Sequence, residues 1–237
     1  PVTTLNYKDL TSIYGVSGNV SYDPDTRTLT LDNATIERNT TDGTGIVNQR
    51  VSDFTVKLIG NNTVTADLAS MVLNQTSTIT GDGSLHLTSK RFCGLDMEGA
   101  SVTINNTNLF VKGGYGIAGF IGAKTEVLTV RNSYVEAEGF GSGSISLISK
   151  LILEDCAITQ PDGAEFDAQK KAVVLNGELL KAKVVIEPVT NGISDITVDA
   201  SAHAKGIYSV TGVKQTQQWN ELPAGIYIVD GVKRVKR

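Results

Sequence analysis

A short pattern recurs along this chain and limits the folds open to it. Two apolar residues one position apart are followed by Asn or Asp and then, three positions later, by another apolar residue. The last three clear copies start at residues 102, 128 and 151, so the steps are 26 and 23 residues. A repeat of this length, built from strand-sized pieces, predicts a stack of β-strands. The clear copies are Leu29-Leu31-Asn33-Ile36, Val102-Ile104-Asn106-Leu109, Leu128-Val130-Asn132-Val135 and Leu151-Leu153-Asp155-Ile158, with weaker copies around 54–63 and 78–87.

Short apolar segments form a second periodic feature. Their centres lie at residues 46, 72, 95, 117, 145 and 173, which are 22 to 28 residues apart. Each repeat then holds three strands separated by turns, the cross-section of a parallel β-helix. We predict an all-β, right-handed parallel β-helix over residues 1–188, with residues 1–17 as a cap; the hand follows from the chirality of parallel crossovers. An antiparallel β-sandwich also explains alternating strands, but not why Asn or Asp returns at one place in each repeat.

The recurring polar residue has a structural role in this interpretation. At a sharp corner, Asn or Asp can hydrogen-bond the local backbone and tolerate left-handed dihedrals. Stacked repeats would align these side chains into a ladder along the helix. The predicted ladder consists of Asn33, Asn106, Asn132 and Asp155.

Composition excludes some classes of function. The net charge is −4 and charged residues make up only 19%, so we expect no nucleic-acid binding, which needs clustered Lys and Arg. No apolar run approaches the length of a transmembrane helix. Cys93 and Cys156 lie about two repeats apart, roughly 10 Å along a stack with ~4.8 Å spacing. Because a disulfide needs Cα atoms within about 7 Å, we predict two free thiols.

Residues 189–237 differ in character and contain an internal duplication. The segments 206–214 and 225–233 share the pattern G-I-Y-x-V-x-G-V-K, offset by 19 residues. Each copy has a strand, a Gly turn and the start of another strand, so we predict a small antiparallel β module. Trp219 is the only tryptophan, and we expect it to anchor the core of this module.

Two resemblances to known families follow from these residues. The tract 193–237, with Gly225-Ile226-Tyr227-Ile228-Val229 and a basic end, resembles the C-terminal sorting-type modules of secreted Bacteroidetes proteins. This resemblance implies export to the periplasm, the cell surface or the medium, although the chain itself shows no signal peptide. The segments 22–36 and 79–87 resemble the bacterial β-helix family known as carbohydrate-binding-domain proteins. That family includes acidic-polysaccharide binders with bound calcium, and no calcium-ligand cluster can be matched here residue by residue.

Aromatic and basic residues in the connections between repeats are the candidate glycan site. Sugar rings present apolar C–H faces that suit exposed aromatic rings, and a basic side chain could bind a uronate carboxylate. The alternative is that these rings only pack over the shoulder of the helix. The candidate residues are Lys90, Arg91, Phe92, Tyr115, Phe120 and Phe140.

The predicted function is therefore glycan binding or adhesion by a secreted or cell-surface protein without catalysis. A polysaccharide lyase or glycoside hydrolase on the same scaffold is the first alternative, and a purely structural surface module is the second. Such an enzyme needs converging carboxylates, or Ca²⁺ on acidic oxygens together with a basic residue. Asp82, Asp96 and Glu98, near Lys90 and Arg91, are the residues that would supply them.

Overall fold

The computed structural model describes residues 1–122, 124–189 and 206–236. The chain divides into two compact units, residues 1–190 and 191–237. Within the described residues, no helix is long and apolar enough to cross a membrane.

The described part of the chain forms two short 3-10 helices, at Leu10–Ser12 and Trp219–Glu221. The strands are β1 (Val16–Asp23), β2 (Thr28–Arg38), β3 (Thr44–Asn48), β4 (Phe54–Ile59), β5 (Asn61–Ala66), β6 (Ala69–Leu73), β7 (Ser77–Thr80), β8 (Ser84–Ser89), β9 (Cys93–Asp96), β10 (Ser101–Asn105), β11 (Asn108–Ala118), β12 (Val127–Arg131), β13 (Tyr134–Ser146), β14 (Lys150–Glu154), β15 (Cys156–Gln160), β16 (Glu165–Asp167), β17 (Ala172–Leu175), β18 (Glu178–Leu179), β19 (Val184–Pro188), β20 (Ile207–Ser209), β21 (Gly225–Val229) and β22 (Val232–Lys236).

The first unit is a parallel β-helix of about five turns, which confirms the predicted fold class. Three parallel sheets run along it, and each coil contributes one strand to each sheet. The first sheet stacks the start of β2 with β4, β7, β10, β12 and β14. The second stacks the end of β2 with β5, β8 and the first halves of β11 and β13. The third stacks β3, β6, β9 and the last parts of β11 and β13.

The interior of the helix is filled by aliphatic columns. Strand alternation points every second residue inward, and exact parallel register places these residues above one another. Burying one such side chain fully contributes roughly 1.5–3 kcal/mol. One column per sheet runs through Leu29, Val56, Ile79, Ile104, Val130 and Leu153; through Ile36, Val64, Leu87, Val111 and Ala137; and through Ile46, Met71, Leu95, Ile117 and Ile145.

This register corrects the alignment of the first repeat. The sequence pattern matched Leu29 with Val102, whereas Leu29 stacks through two intervening coils onto Ile104. The two corners lie at different distances from this column. The corner at Asn33 comes four residues after Leu29, whereas the corner at Asn106 comes two residues after Ile104. Asn33 therefore belongs to the column of Asn61, Ser84, Asn108 and Tyr134, and it does not align with Asn106.

All four predicted corner residues adopt left-handed backbone dihedrals, with φ of 48° at Asn33, 49° at Asn106, 40° at Asn132 and 53° at Asp155. Their side chains do not form one continuous ladder. Asn132 Nδ2 donates to Asn106 Oδ1 at 2.7 Å, while Asn33 Oδ1 accepts the backbone N–H of Asn61 at 3.2 Å. Gly60 takes the corner of the second coil with φ of 63°, and it interrupts the run of amides.

Antiparallel strands cover much of both ends of the helix. At the N-terminal end β1 pairs with β2 from Val16 opposite Ile36 to Asp23 opposite Thr28. The covering strand therefore extends to residue 23, beyond the predicted cap of residues 1–17. At the other end β19 lies antiparallel between β13 and β15, and β16, β17 and β18 form a small meander. Capping of this kind limits edge-to-edge association of sheets.

The second unit is a three-stranded antiparallel sheet in the order β20, β21, β22. Trp219 packs edge-on against the buried ring of Tyr227, with ring centroids 5.9 Å apart. Gly212 and Gly231 hold equivalent turns of the duplicated pattern at φ of 84° and 80°. Both cysteines of the chain, Cys93 and Cys156, are buried and free.

Candidate functional site

A row of three aromatic rings crosses the outer surface of the second sheet. His86 and Phe110 occupy matching positions on adjacent strands, so parallel register places their rings together. The two rings stack with centroids 4.3 Å apart and planes 4° from parallel. Tyr134, on the next strand, lies tilted against Phe110 at 5.5 Å. We call His86, Phe110 and Tyr134 the aromatic ladder; His86 is exposed and the other two rings are partly exposed.

Hydroxyl and amide groups surround the aromatic ladder. Thr63 precedes His86 in the same column, and Thr65 and Thr88 stack in the neighbouring column. Asn108 lies beside them, in register with Tyr134. All of these residues belong to regular strands, so the surface is flat and rigid and carries donors and acceptors at a repeat of ~4.8 Å.

The charges next to the aromatic ladder are paired. Lys112 Nζ contacts Glu138 Oε2 at 3.0 Å, and Lys183 Nζ contacts Glu136 Oε2 at 3.3 Å. The Tyr134 hydroxyl also donates to Glu136 Oε2 at 3.3 Å. Burial, followed by the nearby charges of Glu136 and Glu187, raises the pKa of Tyr134. This surface therefore carries no excess positive charge.

The predicted glycan residues lie elsewhere, and the structure brings only some of them together. Phe92 and Tyr115 meet edge-on at the corner between the second and third sheets, with centroids 5.7 Å apart. Lys90 and Arg91 directly precede Phe92. Arg91 is not available for a uronate, because its Nη2 contacts Asp42 and Asp67, each at 2.6 Å. These hydrogen bonds raise the pKa of Arg91 and lower that of Asp67.

Phe120 and Phe140 are about half exposed, but they lie at different corners. Phe140 follows the second-sheet part of β13, on the coil that stacks on Gly114. Phe120 follows the end of β11, at the corner between the third and first sheets. Phe140 therefore lies at the same corner as Phe92 and Tyr115, and Phe120 lies apart from the other five predicted residues.

Comparisons with protein-family models, curated proteins and solved structures find no match to this chain. The resemblances to the carbohydrate-binding-domain family and to sorting-type tail modules stay predictions.

The carboxylates considered for catalysis are spread over two corners. Asp82 lies in the turn between the first and second sheets, whereas Asp96 and Glu98 lie at the end of the third-sheet strand β9. Burial raises the pKa of Asp96 to about 6, opposed by a hydrogen bond from the Glu98 backbone N–H and supported by the Glu98 charge. In the described ranges, no group of three or more His, Cys, Asp or Glu residues could hold a metal ion. The calcium site implied by the family resemblance does not fit these residues.

The aromatic ladder was missed because its members are far apart in sequence. His86, Phe110 and Tyr134 belong to three different repeats, and nothing in a local window marks them. The repeat itself could have revealed the aromatic ladder. His86 and Phe110 directly follow Leu85 and Leu109, so both face outward and lie in the same column. Extending the repeat alignment to its outward positions would have aligned His86 with Phe110.

Proposed function

We propose that this protein is an exported, non-catalytic glycan-binding protein, and that the aromatic ladder is its binding surface for uncharged polysaccharides. The observation that carries the proposal is the stacked pair His86 and Phe110, extended by Tyr134, on a flat outer sheet. Because the His86 and Phe110 rings cover each other's faces, the stack presents ring edges and the outer side of the exposed His86 ring to solvent. The apolar C–H face of a pyranose ring can pack against this surface and leave water. Aromatic residues on a rigid sheet lose little conformational entropy when they bind.

The polar surroundings of the aromatic ladder support sugar recognition. Equatorial sugar hydroxyls need donors and acceptors beside the stacking surface, and Thr63, Thr65 and Thr88 supply hydroxyl groups there. Asn108 adds a side-chain amide. Since these groups repeat from coil to coil, an extended chain lying along the stack could meet the same chemistry at successive residues. Weak contacts repeated along a polymer add to a useful overall affinity.

The charges favour an uncharged glycan over an acidic one. Glu136 and Glu138 lie on the strand that carries Tyr134, and the two neighbouring lysines already pair with them. A uronate carboxylate would have to displace these pairs or sit beside unpaired carboxylates, which is unfavourable at short range. Arg91, which the sequence suggested for a uronate, is engaged by two carboxylates.

Export is the remaining part of the proposal. Its support is the resemblance of the C-terminal tract to sorting-type modules of secreted Bacteroidetes proteins, together with the β20–β22 sheet in that tract. A surface location would give the β-helix access to polysaccharides outside the cell.

The test measures binding of the full chain to a panel of soluble neutral polysaccharides, with polygalacturonate as the acidic member. Phe110→Ala should lower the affinity for the best neutral ligand by about tenfold, equivalent to ~1.4 kcal/mol. Phe120→Ala is the matched control, because it removes an exposed ring at another corner and should leave the affinity unchanged. Loss of binding in Phe120→Ala alone, or no binding by the wild-type chain, would overturn the proposal. Release of shortened sugars during incubation would show that the protein is an enzyme.

A further inference from the structure

The N-terminal end of the β-helix holds an open apolar cavity of about 610 Å³. Its floor consists of first-coil core residues that would meet another coil if the helix continued: Leu29, Ile36, Ile46 and Phe54. Its walls include Ile13, Val16 and Val20 from the segment that leads into and forms β1. The volume falls in the range of specific ligand pockets, roughly 300–1,000 Å³.

One side of this cavity is an unpaired strand edge. At this end of the helix, β1 covers both the first and second sheets by pairing with β2 along its length. The third sheet begins with β3, and β3 pairs only with β6 among the strands that the structure describes. Alternate residues of β3 therefore present free backbone N–H and C=O groups beside an apolar floor, while the others pair with β6. Such an edge is a template for another strand.

Positive charge lies at both ends of this edge. Arg38 ends the strand before β3, and Arg50 follows β3, so the length of β3, ~16 Å at ~3.3 Å per residue, lies between their backbones. Both side chains line the cavity, and no Asp or Glu does. One Arg38 Nη1 hydrogen bond goes to the Tyr14 backbone oxygen at 3.3 Å, which leaves its other donors for a ligand.

We infer that the β3 edge and its cavity bind an extended segment of a partner protein, with alternating apolar residues and an acidic residue at each end. Backbone pairing with β3 would supply the affinity common to all such segments, as in other cases of strand addition. Alternate apolar side chains would fill the cavity over Ile46 and Phe54. The flanking carboxylates would pair with Arg38 and Arg50, and they would fix the length of the segment.

Two features favour a peptide strand over a small amphiphile. An amphiphile with one anionic head could engage only one of two arginines that β3 holds apart, and it would leave the β3 backbone groups unpaired. A strand satisfies the edge, the apolar floor and both charges together. The antiparallel pairing of β1 on β2 shows the geometry that a covering strand adopts at this same end.

The experiment measures fluorescence polarisation of the labelled peptide Glu-Thr-Val-Thr-Val-Thr-Glu, whose Val and Glu side chains share one face of the strand, with the full chain. The matched control peptide carries Lys at both ends. The Glu-flanked peptide should bind at least about tenfold more tightly, and the double variant Arg38→Glu/Arg50→Glu should reverse that preference. Arg50→Glu alone, which keeps the Arg38 contact with Tyr14, should reduce the preference part of the way.

Two N-methylated peptides test the strand pairing itself. Methyl groups on the backbone nitrogens of one edge should abolish binding, whereas methyl groups on the opposite edge should leave it nearly unchanged, because only one edge faces β3. The inference would be overturned if the two methylated peptides had equal effects, or if no peptide bound. It would also be overturned if the preference for Glu-flanked over Lys-flanked peptide did not change in the arginine variants. Direct binding of dodecanoate without any peptide binding would overturn the inference and assign the cavity to an amphiphile. A dimer that Arg38→Glu/Arg50→Glu dissociates would assign the edge to a second copy of this chain.

Discussion

The side chain of Asn62 accepts the backbone N–H of Ala34 at 2.9 Å, inside the stack and across the boundary between the first two coils. The same amide donates to the Ile59 oxygen and to the Ser84 oxygen, both at 3.1 Å, so it links three successive coils. Asn62 is fully buried, in a column whose next member is Leu85.

Replacing Asn62 with Leu should therefore destabilise the protein in spite of its apolar column. The variant leaves a buried N–H and two partly buried carbonyl groups without their side-chain partner, and we expect a loss of about 2–4 kcal/mol. Equilibrium urea unfolding of both proteins measures it. Asn61→Ala, one position away and exposed, should change the stability by less than about 0.5 kcal/mol. An Asn62→Leu variant as stable as wild type would contradict this role.

The corner at Asn132 gives a test of backbone conformation. Its φ of 40° is unfavourable for a residue with a Cβ, and Gly accommodates it freely. Asn132→Ala and Asn132→Gly both remove the hydrogen bond to Asn106, so their difference isolates the backbone term. We expect the Ala variant to be about 1 kcal/mol less stable than the Gly variant. Thermal unfolding of the pair provides the measurement, and the reverse order would argue against a strained corner.

Asp96 should make stability depend on pH. Burial raises its folded-state pKa to about 6, above its ordinary value of 3.8. The folded state thus holds its proton more tightly than the unfolded state, and this contribution is greatest below pH 4 and is lost as the pH rises through 6. Asp96→Asn, which keeps an oxygen for the Glu98 N–H, should raise the stability at pH 7 by about 2 kcal/mol. Stability curves of the two proteins from pH 4 to 8 should diverge with rising pH; parallel curves would refute the assignment.

The two thiols should react only after unfolding. Cys93 and Cys156 are buried, and burial raises the pKa of Cys93, so neither presents an accessible thiolate. A colorimetric thiol reagent should therefore titrate no fast-reacting thiol in the native protein and two in denaturant. Two fast thiols before unfolding would mean that the packing around β9 and β15 is open.

The sequence was sufficient to predict the repeat and its Asn and Asp corners, because the alternation of aliphatic residues and the preference of Asn or Asp for positive φ are local properties. It was insufficient for register, because the first corner turns two residues later relative to the stacked strands than the corner at Asn106, although both corners carry the same local pattern. It also missed contacts between coils. The pairing of Arg91 with Asp42 spans 49 residues, and the stacking of His86 on Phe110 depends on which outward positions share a column. Buried Asn62 escaped notice because an amide in an apolar column breaks the pattern used to find that column.

Proton NMR of the histidine rings tests the central claim most directly. The chain contains only two histidines, His86 and His203, so the imidazole signals of the full chain can be assigned with one His203→Gln variant. Titration with a neutral oligosaccharide that binds should shift the His86 ring signals, because a sugar stacked on the aromatic ladder changes the surroundings of that ring. Saturable binding that leaves the His86 signals unmoved would contradict the account of the aromatic ladder as the glycan-binding surface.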